Sequence, residues 1–222
     1  MRHGVGIDVS KPIDEVVAQV SRLAEQGIDT AWCLQIFGYD ALTLLAVLGR
    51  EVPDIELGTA VVPTYPRHPI VMAIQALTTQ AASGGRLVLG IGLSHQVVIE
   101  GMFGYSYDRP ARHMREYLSA LMPLLRGETV SFHGETLSAT TIGPLDVKAD
   151  PPQVLVAALG PTMLKLAGQL ADGTVTWMTG PATVASHIVP SITKAADDAG
   201  RPAPRVAVAL PVAVTTNVER AR

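Results

Sequence analysis

"IELGTAVVPTYPRHPIVMAIQALTTQAASGG", Ile55 to Gly85, contains one complete structural unit. The run Ile55 to Val62 is mostly apolar without alternation, as in a strand buried on both faces. Pro63, Pro66 and Pro69 then break it. Beyond them, Ile70, Val71, Ala73, Ile74, Leu77 and Ala81 recur at helical spacing, and Gly84 and Gly85 stop the helix. The short loop between strand and helix packs Tyr65, Arg67 and His68 among the prolines. A ring, a cation and an imidazole so placed call for an explanation.

The same unit recurs on either side. Gly4 to Asp8 reads as a strand, followed by Pro12, by Asp14 and Glu15 in a first helical turn, and by Ile13, Val16, Val17, Val20, Leu23 and Ala24, closed by Gly27. A second strand, Thr30 to Leu34, leads to a helix from about Ala41 to Leu48 with Asp40 as N-cap. The fourth strand is Leu87 to Ile91. An insertion, Ser94 to Pro110, separates it from a helix carrying Met114, Tyr117, Leu118, Leu121 and Leu125. TVSFHGETLSATT, residues 129–141, alternates and turns at Gly134 like an added hairpin. Val154 to Ala158 and Val175 to Met178 open the fifth and sixth units, with helices from Pro161 to Ala171 and around Pro190, where a kink is expected. Val206 to Val214 is a seventh strand, and VERAR begins another helix.

Seven apolar strands alternating with amphipathic helices specify an α/β fold with a parallel sheet and helices outside. The natural closure is a (β/α)8 TIM barrel that lacks its last β/α unit, since such barrels take ~250 residues and this chain has 222. Residues 1–222 read as one such domain. A doubly wound sheet would show G-x-G-x-x-G after the first strand, where Asp8, Val9 and Ser10 stand instead.

Composition narrows the function. The chain is 48% hydrophobic with net charge −3, mean hydropathy +0.29 and pI near 6.0. Its cations are scattered, so no nucleic acid partner is expected. No leader or membrane span is legible. The single Cys33 is read as core and fits a reducing cytoplasm.

In a barrel the C-terminal strand ends face the active site. That places Tyr65, Arg67 and His68 on the rim, with Asp8, Ser10, Gln35, Ser94, His95, Ala158 to Met163, Trp177 and Met178. So few charges suit a large planar organic ring better than a metal, and no pair of histidines has metal-ligand spacing. In AALGPTM, Ala157 to Met163, Gly160 permits close approach, Pro161 presets a helical turn, and the N–H groups of Thr162 and Met163 offer an anion seat. An ordinary junction with a good helix start is the plainer reading. His68 either caps the third helix or shapes the pocket, and Arg67 either neutralises an anion or reaches solvent.

GTAVVPTYPRHP, LVLGIGLSHQ, VAALGPTMLKLAGQLADGTVTWM and REYLSALMPLLRGE together resemble the luciferase-like monooxygenase superfamily, in its branch of coenzyme F420-dependent oxidoreductases. The resemblance implies a (β/α)8 barrel, commonly dimeric, with a deazaflavin at the C-terminal mouth and a non-proline cis peptide backing it at Ala60 and Val61. It implies cofactor contacts at Gln35, where relatives often carry an acid, at Leu93 and Ser94, and at a phosphate-binding turn of Ala158, Gly160, Pro161 and Thr162. It places His95 where some relatives have a catalytic glutamate, so His95 is either a proton donor or a cofactor hydrogen-bond partner. The implied reaction is hydride transfer between the deazaflavin C5 and a small organic substrate. An FMN-dependent monooxygenase and a non-catalytic cofactor-binding protein are the alternatives.

Overall fold

The computed structural model describes residues 1–216 and 219; the helix expected at VERAR lies, apart from Glu219, outside them. The strands are β1 (Gly4–Gly6), β2 (Thr30–Cys33), β3 (Glu56–Thr59), β4 (Val62–Pro63), β5 (Leu87–Gly92), β6 (Ser131–His133), β7 (Ser138–Thr140), β8 (Gln153–Ala157), β9 (Gly173–Trp177) and β10 (Arg205–Ala209). The helices are α1 (Ile13–Glu25), α2 (Ala41–Glu51), α3 (Pro69–Ala82), α4 (Gln96–Gly101), α5 (Pro110–Leu125), α6 (Pro161–Leu170), α7 (Pro181–Thr183) and α8 (Val189–Asp198). All strands except β6 and β7 form one parallel sheet in the order β1-β2-β3-β5-β8-β9-β10, with β4 paired to β5.

The sheet curls. In a flat sheet β3 and β10, four places apart, would be separated by roughly 19 Å, yet Arg205 Nη2 reaches Glu56 Oε1 at 2.6 Å. The α/β class and the parallel sheet are as the sequence indicates. The described residues form a half-barrel, with β1 and β10 as its edges.

Register and alternation decide what faces inward. Gly4, Thr30, Trp32, Glu56, Gly58, Val88, Gln153, Leu155, Gly173 and Arg205 share the concave face. Cys33, Leu57, Leu87, Leu89, Ile91, Val154 and Val156 face the helices in the main core. Trp32 fills the lower half of the barrel interior. A Cβ at Gly4 would lie 2.7 Å from its Cδ1, and one at Gly58 would lie 3.0 Å from its Cδ2, so both neighbouring strands need glycine there. The Arg205 guanidinium sits 5.8 Å from the indole. It also bonds Gln153 Oε1 at 3.0 Å, while Glu56 accepts from Thr30 Oγ1 at 2.8 Å and from Arg2 at 2.5 Å. Burial alone would raise the Glu56 pKa, but the hydrogen bonds from Arg205 and Thr30 and the nearby guanidinium charges hold it below its ordinary value.

Four local outcomes depart from the sequence reading. The first strand ends at Gly6, not Asp8. The seventh ends at Ala209, opposite Trp177 at the end of β9, so Leu210 to Val214 have no partner strand there. The third strand breaks into β3 and β4. The kink expected at Pro190 is a π-turn, Val184–Ile188, in which Val189 N–H bonds Val184 C=O, because a proline has no N–H to offer the regular ladder.

Gly58→Ala is expected to lower the unfolding free energy by about 1–3 kcal/mol through overpacking against Trp32. Urea denaturation measures the loss, and the Gly143→Ala exchange, with nothing within 4 Å of the new Cβ and no left-handed φ, controls for general glycine effects.

Candidate functional site

The break between β3 and β4 shapes the upper barrel. Between Gly58↔Val88 and Val62↔Ile91 the chain takes four steps on one side and three on the other, which defines a bulge. The Thr59 hydroxyl occupies the gap, donating to Gly90 C=O at 2.7 Å and accepting from Gly90 N–H at 2.8 Å. The Ala60–Val61 peptide is cis, and Ala60 N–H bonds Cys33 C=O at 2.8 Å. The Val61 side chain enters the barrel: a Cβ at Gly92 would stand 2.6 Å from Val61 Cγ2 and 3.2 Å from Ala157 Cβ. Above Trp32 the concave face carries Gly6, Gly92, Ala157, Val175, Ala207 and Ala209. These small side chains make the upper concave face apolar and low in relief, a surface suited to backing a flat ring.

Around this face, Gln35 is half-buried, and its side-chain oxygen accepts from Ala41 N–H at 2.8 Å at the head of α2. Leu93 is half-buried, and Ser94 has a left-handed φ of 62°. His95 is the exposed N-cap residue of α4 and makes no capping bond through its side chain. Ala158 is buried, and Gly160 caps α6 in extended conformation with Pro161 at the first turn and no side-chain cap. Leu164 N–H closes the first helical bond to Gly160 C=O at 3.0 Å, so the N–H groups of Thr162 and Met163 head an uncapped helix. Trp177, on the concave face, is 57% exposed at the end of β9, next to Met178 with φ 53°.

The loop Thr64 to His68 serves the scaffold more than the open rim. Tyr65 stacks on His113 with centroids 3.9 Å apart and on Tyr107 at 5.2 Å, and its buried hydroxyl has no partner. Arg67 is ion-paired with Asp40, which also caps α2 by accepting from Thr43 N–H at 2.9 Å. The Arg67 carbonyl takes the Tyr117 hydroxyl at 2.8 Å. Of the two readings of Arg67, neither solvent nor a free anion site describes it. His68 caps α3: Nδ1 accepts from Ile70 N–H at 3.3 Å while Nε2 donates to Ser138 C=O at 2.8 Å. That pair of bonds requires the neutral Nε2–H tautomer. Its second bond ties the hairpin to the barrel, and Glu116 of α5 does the same by accepting from the N–H groups of Glu135 and Thr136 at 3.1 and 2.7 Å.

Sequence reasoning passed over His113, Trp32 and Thr59. His113 is 7% exposed, and its Nε2 lies 3.1 Å from Thr64 Oγ1. Burial lowers its pKa to about 4, against a smaller opposing pull from Glu116. Its helical spacing matched any core position, and nothing in the sequence pointed at Tyr65. Burial likewise pushes the Cys33 thiol up to about 12, which makes it inert.

The geometry now meets known proteins. The family model described as luciferase-like monooxygenase matches residues 1–222. This chain belongs to that family. Among curated members, a 5,10-methylenetetrahydromethanopterin reductase of Methanolobus tindarius is 31% identical over 175 residues, covering 78% of this chain and 53% of the relative. A protein of Mycobacterium tuberculosis, provisionally named a coenzyme F420-dependent oxidoreductase, is 32% identical over 171 residues, covering 69% and 48%. The chain spans about half the length of these relatives. Solved structures share the fold. The coenzyme F420-dependent tetrahydromethanopterin reductase of Methanopyrus kandleri superposes with TM-score 0.81 at 23% identity, over 93% of this chain and 65% of that one. The FMN complex of the oxygenating component of a diketocamphane monooxygenase from Pseudomonas putida gives 0.78 at 17%, over 94% and 66%. No helix among the described residues is long and apolar enough to cross a membrane.

In this luciferase-like chain the His113 ring should titrate near pH 4, not 6.5. The unfolded chain binds the extra proton first, so the contribution to stability is full above 6.5 and is lost as pH falls from there through 4. NMR of the imidazole carbon protons reads the midpoint, and His113→Phe should remove this part of the pH dependence of the unfolding free energy.

Proposed function

We propose that this protein is a coenzyme F420-dependent oxidoreductase acting on a small organic substrate, working as a soluble cytoplasmic homodimer of (β/α)8 barrels. The observation that carries the reading is the small-residue apolar face that Val61, Gly92 and Ala157 form above Trp32, on the same end of the sheet as the uncapped head of α6. The curated relatives support the deazaflavin in particular, since those at 31% and 32% identity are a reductase of a tetrahydromethanopterin and a protein named for coenzyme F420.

The residues present fit such a group. A flat ring requires a smooth apolar backing, which Val61, Gly92 and Ala157 form, and a phosphate requires unengaged N–H donors, which Gly160, Thr162 and Met163 offer. When bound, the deazaflavin supplies hydride chemistry at its C5. The chain's own work is to orient and to exclude water. Leu93 and Ser94 edge the ring beside the bulge, and the Gln35 amide N–H groups remain for a polar contact while its oxygen holds α2. Trp177 walls the substrate end. Tyr65 holds the insertion near the mouth through Tyr107, whose hydroxyl bonds Ser94 C=O at 3.2 Å. His95 holds the proton delivered to the substrate, from an exposed position where exchange with water restores it.

Titration with coenzyme F420 and, separately, FMN, following quenching of cofactor fluorescence, tests the assignment. Tighter binding of F420, with loss of the reduced cofactor's absorbance on addition of enones, imines or ketones, is expected; tighter FMN binding with oxygen consumption overturns it. His95→Asn should lower kcat about 100-fold while leaving the cofactor Kd within about twofold. Unchanged kcat would reduce His95 to a hydrogen-bond partner.

A further inference from the structure

The turn at the head of α6 is held from outside. His187 sits in the π-turn Val184–Ile188, and its Nε2 lies 2.9 Å from the carbonyl oxygen of Leu159. A carbonyl only accepts, so Nε2 carries the proton. The Thr174 hydroxyl of β9 donates to Val156 C=O at 2.8 Å and lies 3.4 Å from Ala158 C=O. The Leu159 carbonyl leading into α6 is therefore engaged from the next β/α unit. The peptide linking Leu159 to Gly160 is trans, like every described bond except Ala60–Val61. In a trans peptide the C=O and N–H point in opposite directions. Fixing the Leu159 carbonyl toward His187 thus fixes where the Gly160 N–H points. Gly160 itself has no side chain to do so, and the space within 4 Å of where a Cβ would stand is open.

We propose that His187 is a positioning residue: its Nε2–H···O=C bond sets the Leu159–Gly160 peptide so that the Gly160 N–H joins those of Thr162 and Met163 in holding an anion. The proposal rests on the phosphate-seat reading above. The π-turn is part of the device. Pro190 denies the regular ladder its bond to Ser186 C=O, the turn widens, and His187 is presented within it half-buried against Leu159. The buried face of the following helix, Ile192, Ala195 and Ala196, packs on α6 itself, where a Cβ at Gly168 would stand 2.6 Å from Ile192 C=O. The histidine and the turn it holds are thereby carried on two helices locked together.

The test compares ligands that differ only in the phosphate. Dissociation constants are measured by fluorescence for the 5′-phosphate of the deazaflavin riboside and the unphosphorylated riboside, and for FMN and riboflavin, with wild type, His187→Leu and His187→Gln. His187→Leu should weaken the phosphate-bearing member of each pair about tenfold, the loss of about one hydrogen bond, and leave the phosphate-free member within about twofold. His187→Gln, which keeps an amide N–H donor at similar reach, should restore most of the affinity. Equal weakening of both members, or no weakening of either, overturns the role of His187. A wild-type protein that does not prefer the phosphate-bearing members overturns the seat itself. Unfolding midpoints of the three proteins separate a folding defect from either outcome.

Discussion

One hydroxyl group holds the barrel's upper half in its shape. Thr59 replaces a rung of the ladder between β3 and β5 by bonding both the N–H and the C=O of Gly90, and the extra residue this accommodates turns Val61 inward. Buried backbone polar groups must be satisfied wherever a strand departs from regular pairing. Here a side chain satisfies them, so the departure is stable and the main chain beyond it is free to re-pair as β4. Gly90 and Gly92 follow as necessities, the first because Thr59 C=O crowds it and the second because Val61 does.

Below that level the interior obeys a different rule. Trp32 lies between two strands that carry glycine where it passes, and the charges of Arg2, Glu56 and Arg205 meet beneath it with Thr30 and Gln153 to complete their hydrogen bonds. Paired and hydrogen-bonded, they avoid the penalty of an isolated buried charge. The upper half, by contrast, is built of small apolar side chains, and the charges around it are largely spoken for: Arg67 by Asp40, and Arg109 and Arg112 by Glu135. Polarity at the bottom and small apolar side chains above give the half-barrel two chemically different ends.

Much of the fold was legible because its signals are local. Apolar runs without alternation marked the parallel strands, helical spacing marked the outer layer, and Asp40 and His68 could be read as caps from the residues that follow them. The family resemblance supplied the cis bond at Ala60 and Val61, which no periodicity indicates. What escaped depends on partners far along the chain. Arg67 meets Asp40 across 27 residues, and His113 meets Thr64 across 49. Neither separation has a sequence signature, so Arg67 looked free and His113 looked ordinary. Thr59 and Trp32 were hidden for another reason: each sits in an apolar strand, and only register shows that one spans a bulge and the other fills a barrel.

The ion pair of Glu56 with Arg205 also bears on how the molecule assembles. Its members lie 149 residues apart, so the contact forms only after most of the chain has been synthesised, and loop closure on that scale slows folding. Until then Glu56 has Arg2 and Thr30 for company, close neighbours once β1 to β3 have paired. The first three strands thus hold a provisional charge balance, and the arrival of β10 adds the Arg205 guanidinium to it, a late step for which the early units are already prepared.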